Sequence, residues 1–242
     1  MPKSSTLRFS HYTHLDSLLK IFEKGTFLFS SIGASNDFQE QALLESFEKR
    51  GKAYSPYACS FCLLKEYIPM WWIYSKSIPN ENGDGKNYGM MVYFILKEGM
   101  DYADFFVEKN VKSAPVKYVP NRKFSKIIED PSDVKKEEIG FLKSNYWKYE
   151  KEFRFVCMNP LDADGAGRIK RQINFDSIKE IQFYVEPSFH EDLRTAVRRK
   201  LEECERLKGV DFSVHKSRIS NIFNSGKKAK KNKSSKKTKK QK

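Results

Sequence analysis

Tyr149-Glu150-Lys151-Glu152-Phe153-Arg154-Phe155 leads into Val156-Cys157-Met158, a segment in which polar and apolar residues alternate. Alternation with period two predicts a strand over 152–158, with residues i and i+2 on one side. Phe153 and Phe155 then face a core, while Glu150, Glu152 and Arg154 share the opposite face. Three charges on one face mean either a solvated surface or a cleft in which Tyr146, Trp147 and Tyr149 partly exclude water.

Upstream of this segment, residues 6–12 (TLRFSHY) alternate as a strand, and Thr13 is placed to cap a helix with Leu15, Leu18, Leu19 and Phe22 at helical spacing. Gly25 stops that helix. Residues 27–30 form a second strand, and Asn36-Asp37 opens a helix with Phe38, Ala42, Leu43 and Phe47 on one side. A strand over 57–64 and a short aromatic helix around Trp71 to Tyr74 follow. The turn-forming loop 80–87 precedes a buried strand at 88–96.

The spacing further predicts a strand at 114–120 and a helix over 133–144 started at Ser132. Beyond the decisive segment lie a turn and strand in 165–175, a strand at 178–186, a helix carrying Leu193, Ala196, Val197 and Leu201, and a last strand over 210–219. Strands and helices interleave without an internal repeat, which predicts one α+β domain over 1–224.

The 242 residues carry a formal charge of +14, but residues 225–242 hold ten Lys and no acid. Without those ten, 35 of the 45 basic residues remain against 31 acidic ones, so the body is nearly balanced. The tail has no apolar residue except Ala229, so it is expected to be disordered and to attract nucleic acid through its lysines. No apolar run is long enough to span a bilayer and no signal peptide is evident, which predicts a cytoplasmic protein. Cys59, Cys62, Cys157 and Cys204 suit a reducing compartment. Cys59 and Cys62 have the spacing of half a zinc site, but strand parity sets them on opposite faces and no second half follows, so no metal is expected. Gly-rich phosphate loops, HExxH and GxSxG are all absent from the sequence.

His11, at the end of the first strand, is either a packed core histidine or a site residue among the donors Ser10, Tyr12 and Thr13. Asn36 with Gln39, or Asp37 with Glu40, satisfies the capping-box spacing, and capping is the default account of those side chains.

Taken in order, Ser10-His11-Tyr12-Thr13, Asn36-Asp37 with Glu40, Ser60-Phe61, Met70-Trp71 with Tyr74, and Trp147 with Tyr149-Glu150-Lys151-Glu152-Phe153-Arg154 resemble a bacterial family catalogued as domain of unknown function 2971. The resemblance runs from about residue 7 to about residue 220 and leaves the tail outside. Three of these pieces are also similar to ADP-ribosyltransferases: His-x-Thr on the first strand, a strand serine at Ser60, and Glu-x-Glu at 150–152 entering a strand. The chain departs from that pattern in reading Cys-Ser-Phe-Cys around Ser60 and in offering no first-strand arginine beyond Arg8.

This second resemblance implies an α+β fold with a split pair of sheets flanked by helices, and NAD as co-substrate. It implies that Glu152 stabilises charge on the ribose and that Glu150 orients or deprotonates the acceptor. His11 and Thr13 would bind the ribose and the nicotinamide amide, Tyr74 or Trp71 would stack on the nicotinamide, and Ser60 and Arg154 would complete the cofactor contacts. The acceptor would be a nucleic acid or a protein. The alternative is a noncatalytic nucleic-acid-binding or regulatory protein.

Overall fold

The computed structural model describes residues 6–50, 55–75, 78–79, 86–158, 160, 163–164, 167–186 and 191–219. The Lys-rich tail and most of the loop at 80–87 lie outside the described residues. In chain order the elements are β1 (Arg8–His14), α1 (Leu15–Lys24), β2 (Thr26–Ser31), α2 (Phe38–Glu48), β3 (Pro56–Cys62), α3 (Ile68–Tyr74), β4 (Ile78–Pro79), β5 (Lys86–Asn87), β6 (Gly89–Leu96), β7 (Val111–Pro115) and β8 (Lys117–Val119). There follow α4 (Asn121–Glu129), β9 (Leu142–Ser144), β10 (Glu152–Met158), β11 (Arg168–Gln172), β12 (Ile178–Val185), α5 (Glu191–Glu202) and β13 (Asp211–Lys216). The fold is α+β, as expected.

Among the described residues nine strands form one mixed sheet, ordered β11-β2-β3-β1-β6-β12-β13, with β10 attached at β3 and β7 paired to β10. Since β3 has only two edges and β10 pairs along the whole of one, β1 and β2 must share the other. β2 pairs with β3 only at Ser30–Ala58 and Ser31–Tyr57, and β1 only at Ser10–Cys62. The strands therefore part beside Cys59–Phe61. The expected split pair of sheets is corrected: the strands form one connected mixed sheet that forks at β3, with β8–β9 as a small parallel pair and β4–β5 as a small antiparallel one.

Phenylalanines fill the space behind this fork. Phe9, Phe27 and Phe61, one from each strand, meet edge to face with centroids 5.2 Å apart for both Phe9–Phe61 and Phe27–Phe61. α1 adds Leu18 and Phe22 to that cluster and α5 adds Val197 and Leu201. On the other face, α3 packs Met70 and Trp71 against Tyr12, Cys62, Met91 and Tyr93, while α2 and α4 share a third cluster around Phe47 and Phe124. β6 is buried at every residue because both its faces are covered. Gly89 opens it against the Ser75 carbonyl, where a Cβ would lie 1.6 Å from the oxygen.

Four local expectations are corrected. Thr13 belongs to β1, and α1 begins after His14, which makes no side-chain cap. Residues 133–144 are not an α-helix: a 3-10 helix spans Lys136–Phe141, and Leu142–Ser144 pairs in parallel with β8. Ile139 and Leu142 are its buried apolar anchors, too few for a helical stripe, so strand pairing prevails. The strand read over 114–120 breaks at Val116, whose N–H donates to the Glu152 carbonyl. Phe38, grouped with Leu43 and Phe47 on one side of α2, is 80% exposed while those two are buried, because it sits on the first turn outside the packed face. Among the described residues no helix is long and apolar enough to cross a membrane, and no group of His, Cys, Asp or Glu is arranged to hold a metal.

Candidate active site

Where β1 and β2 part, the backbone ladder on that edge of β3 stops and side chains take over. The Nδ1 of His11 lies 3.0 Å from the Ser60 carbonyl oxygen. A carbonyl only accepts, so Nδ1 carries the proton and, in the neutral ring, Nε2 keeps its lone pair. The ring is held by Phe27 at 5.1 Å and Phe61 at 5.0 Å, so it is wedged into the fork. Burial lowers its pKa to about 4 against the opposing effect of the Ser60 bond, and the imidazole is neutral at physiological pH.

A cavity of about 310 Å³ opens at this point. His11, Ser60, Tyr74, Glu152 and Arg154 line it, with Lys143, Glu40, Asn36, Ser30, Ser31 and Ser35. Register explains part of the convergence: β10 opposes β3 with Arg154 across from Ser60 and Glu152 across from Cys62, on the face turned away from the phenylalanine cluster.

The charges on that face are buried rather than solvated. Glu152 Oε2 accepts from Lys143 Nζ at 3.1 Å and from an Arg154 guanidinium nitrogen at 2.9 Å. Burial raises the Glu152 pKa, but Arg154 and then Lys143 outweigh it and hold the carboxyl below its ordinary range, so it stays ionised. Arg154 also grips Glu40 with both terminal nitrogens and donates to the Gly140 carbonyl at 3.2 Å. That carbonyl can come so close because residue 140 has no side chain; a Cβ would lie 2.7 Å from Val156. For Glu40, burial wins and the pKa rises. Three carboxylates, Glu40, Glu150 and Glu152, thus share two cations.

Glu150 is fully buried and stands outside the cavity lining. Its oxygens accept from the Tyr74 hydroxyl at 2.5 Å and from Lys143 at 2.6 Å. Both glutamates reach Lys143 through a backbone feature that strand parity does not provide. Glu150 ends a 3-10 helix over Asn145–Glu150, Lys151 takes a left-handed conformation with φ 48°, and β10 starts at Glu152. A non-glycine residue there is strained by about 1 kcal/mol, and such strain is often found at functional sites.

The remaining candidates lie elsewhere. Trp71 is packed edge-on against Tyr12 at 5.4 Å and does not line the cavity, so the candidate aromatic is Tyr74. Thr13 lines a second cavity, of about 470 Å³, which shares His11, Leu28 and Cys59 with the first. Among its described lining residues that neighbour carries Lys20 and Lys24 from α1 and Arg168 and Lys170 from β11, with Asp164 as the one acid, which pairs with Arg168 at 3.6 Å. The fork thus joins a carboxylate-bearing cavity to a cationic one.

Two members of the network escaped the sequence reading. Asp37 does cap α2, accepting from the N–H groups of Gln39 and Glu40. Glu40 does not return the capping-box bond; its carboxylate turns to Arg154 instead. Lys143 lay within the segment read as a helix. The signal available for it was one charged residue between Leu142 and Ser144 in a short extended run.

Compared with models of known protein families and with curated protein sequences, the chain matches none.

Proposed function

We propose that the protein is an NAD-dependent ADP-ribosyltransferase acting at the fork between β1, β2 and β3, and that it belongs with the bacterial domain family 2971. The observation that carries this reading is an ionised, buried Glu152 in one cavity with His11 and Ser60, beside a second cavity lined by four cations. A dinucleotide needs both environments, and the two volumes lie within the usual range for small-molecule sites. Bound there, NAD supplies a ribose that gains positive charge as its bond to nicotinamide opens and the electron pair leaves with the ring. Glu152 answers that charge from a low-dielectric wall, and its two cationic partners fix it in place beforehand.

The other roles follow from position. His11 presents a neutral ring to a ribose hydroxyl. Lys20, Lys24, Arg168 and Lys170 face the pyrophosphate. Tyr74 lines the cavity for the nicotinamide or the acceptor, and Glu150 acts at one remove by fixing the Tyr74 hydroxyl. Arg154 positions Glu152 rather than gripping ligand. The acceptor is a nucleic acid or a protein, and the setting is cytoplasmic.

A second reading, a regulatory nucleotide-binding protein without turnover, is favoured by the saturation of Glu150 and by Glu152 Oε2 already accepting twice. Incubation with labelled NAD and separate pools of protein, DNA and RNA divides the two. The transferase reading expects nicotinamide release with label on one pool; binding of NAD without release would favour the second.

A further inference from the structure

α3 has one side in the Glu152 cavity and another in solvent. Met70 and Tyr74 line the cavity, whereas Ile68, Trp72 and Ile73 are exposed, Trp72 at 58%. The helix is fastened at both ends to the 3-10 segment Asn145–Glu150 and its exit. The Tyr74 hydroxyl donates to Glu150, and the Lys151 ammonium lies over the ring of Tyr67, the residue that precedes the helix. The 3-10 segment in turn exposes Tyr146, at 66%, and Tyr149, at 41%. Large flat side chains are therefore presented on two joined elements beside the cavity.

Exposed rings grouped in this way mark an interaction surface, and the charge among them selects the partner. Residues 145–151 read Asn-Tyr-Trp-Lys-Tyr-Glu-Lys, with aromatics and lysines interleaved. Trp147 turns inward, its ring 4.7 Å from the Lys143 ammonium. Glu150, the acid of this segment, is fully buried between Tyr74 and Lys143, so the charges the segment shows to solvent are Lys148 and Lys151. On the stretch leading to α3, Lys65 and Glu66 offset each other. Flat apolar faces with cations between them complement bases strung on an anionic backbone. A protein partner would match the rings and leave the lysines unanswered, while a duplex would match the lysines and hide its base faces.

We propose that α3 and the segment Asn145–Lys151 form a stacking platform for a single-stranded nucleic acid. Bases lie on Trp72, Tyr146 and Tyr149, and backbone phosphates meet Lys148 and Lys151. Stacking of this kind accepts any base, since every base has a flat face, so the platform binds without sequence preference. The outer side of α3 and the cavity are separated by one helix thickness, roughly 10 Å, so a strand held on the platform runs beside the Glu152 cavity. That this strand is the acceptor rests on the transferase reading; the stacking itself does not.

The test uses the full chain with a fluorescein-labelled single-stranded oligonucleotide and its duplex, affinity being followed by anisotropy across a salt series. The aromatic variant, Trp72→Ala with Tyr146→Ala, should bind the single strand at least about 30-fold more weakly, the value for two lost stacking contacts. Its slope of log affinity against log salt should match wild type, because stacking releases no counterions. Lys148→Gln with Lys151→Gln should instead make the slope shallower by about 1.4, for two lost phosphate contacts. Trp72→Phe with Tyr146→Phe keeps flat rings and should retain most of the affinity. The aromatic variant should bind the duplex as wild type does and melt within a few degrees of it. Unchanged single-strand affinity in the aromatic variant would overturn the proposal by showing that lysines elsewhere hold the strand. An equal loss of duplex binding would also overturn it, and so would a wild-type dimer that the aromatic variant disperses, in favour of contact between copies. Absence of nicotinamide release by wild type, with single-strand affinity lost as expected, would remove the transferase reading and still support the platform.

Discussion

His11 and Ser60 are joined across the fork by a 3.0 Å hydrogen bond from Nδ1 to the carbonyl oxygen, on the one stretch of the β3 edge that neither β1 nor β2 pairs. A side chain thus stands in for a ladder hydrogen bond, and the same side chain lines both cavities.

Replacing His11 separates its two contributions. His11→Phe removes the donor and should cost about 2 kcal/mol, whereas His11→Gln can restore the bond and should cost less. The pH dependence has a definite sign. The folded pKa of about 4 lies below the ordinary 6.5, so the unfolded chain binds the proton first. The stabilisation is present above about pH 6.5 and is lost as pH falls toward 4, by up to about 3 kcal/mol. Glu40, whose pKa is raised by burial, contributes with the opposite sign. The comparison that isolates His11 is the melting temperature of wild type against His11→Gln between pH 7 and pH 4.5, where the variant should lose less.

Arg154 and Glu40 should behave unequally although they pair with each other. Arg154→Met leaves two buried carboxyl groups facing a methyl group and should cost about 3–5 kcal/mol in denaturant unfolding. Glu40→Gln should cost about 1 kcal/mol, because burial already favours the uncharged carboxyl and an amide oxygen can still accept from the guanidinium.

The left-handed turn at Lys151 predicts an inverted order of stability. Lys151→Gly relieves the strain while giving up the contact of Nζ over the Tyr67 ring, 4.9 Å from its centroid, and should leave the melting temperature within a few degrees of wild type. Lys151→Ile puts a β-branched residue at positive φ and should destabilise by about 2 kcal/mol. Equal effects would mean that the turn does not orient the two glutamates.

Gly89→Ala should be among the most damaging small changes, since the added carbon falls on the Ser75 carbonyl and backbone must move to admit it. A loss of about 3 kcal/mol is expected, read as a lower midpoint in urea.

Period-two alternation placed β10 and its inward phenylalanines, because strand parity is a local property of sequence, and the unbroken apolar run after the turn-rich loop placed β6. The capping residue Asp37 was legible for the same reason. The fork was not, since it depends on which edge of β3 two distant strands share. Glu150 and Glu152 were found together, but on the wrong geometric ground: they converge through a turn at Lys151, not through an extended chain. Lys143 and Glu40 were missed as network members because a buried charge is identified by its partners, and those partners lie on other elements.

The most direct test of the account is nicotinamide release from NAD by wild type and Glu152→Gln, with NAD affinity and melting temperature measured on the same samples. Glu40 and Glu150 remain as partners for Arg154 and Lys143 in the variant, so the fold should survive. The account predicts that release falls at least about 100-fold while affinity changes by less than about tenfold. Release at the wild-type rate by Glu152→Gln, or no release by wild type at NAD concentrations that saturate binding, would contradict it.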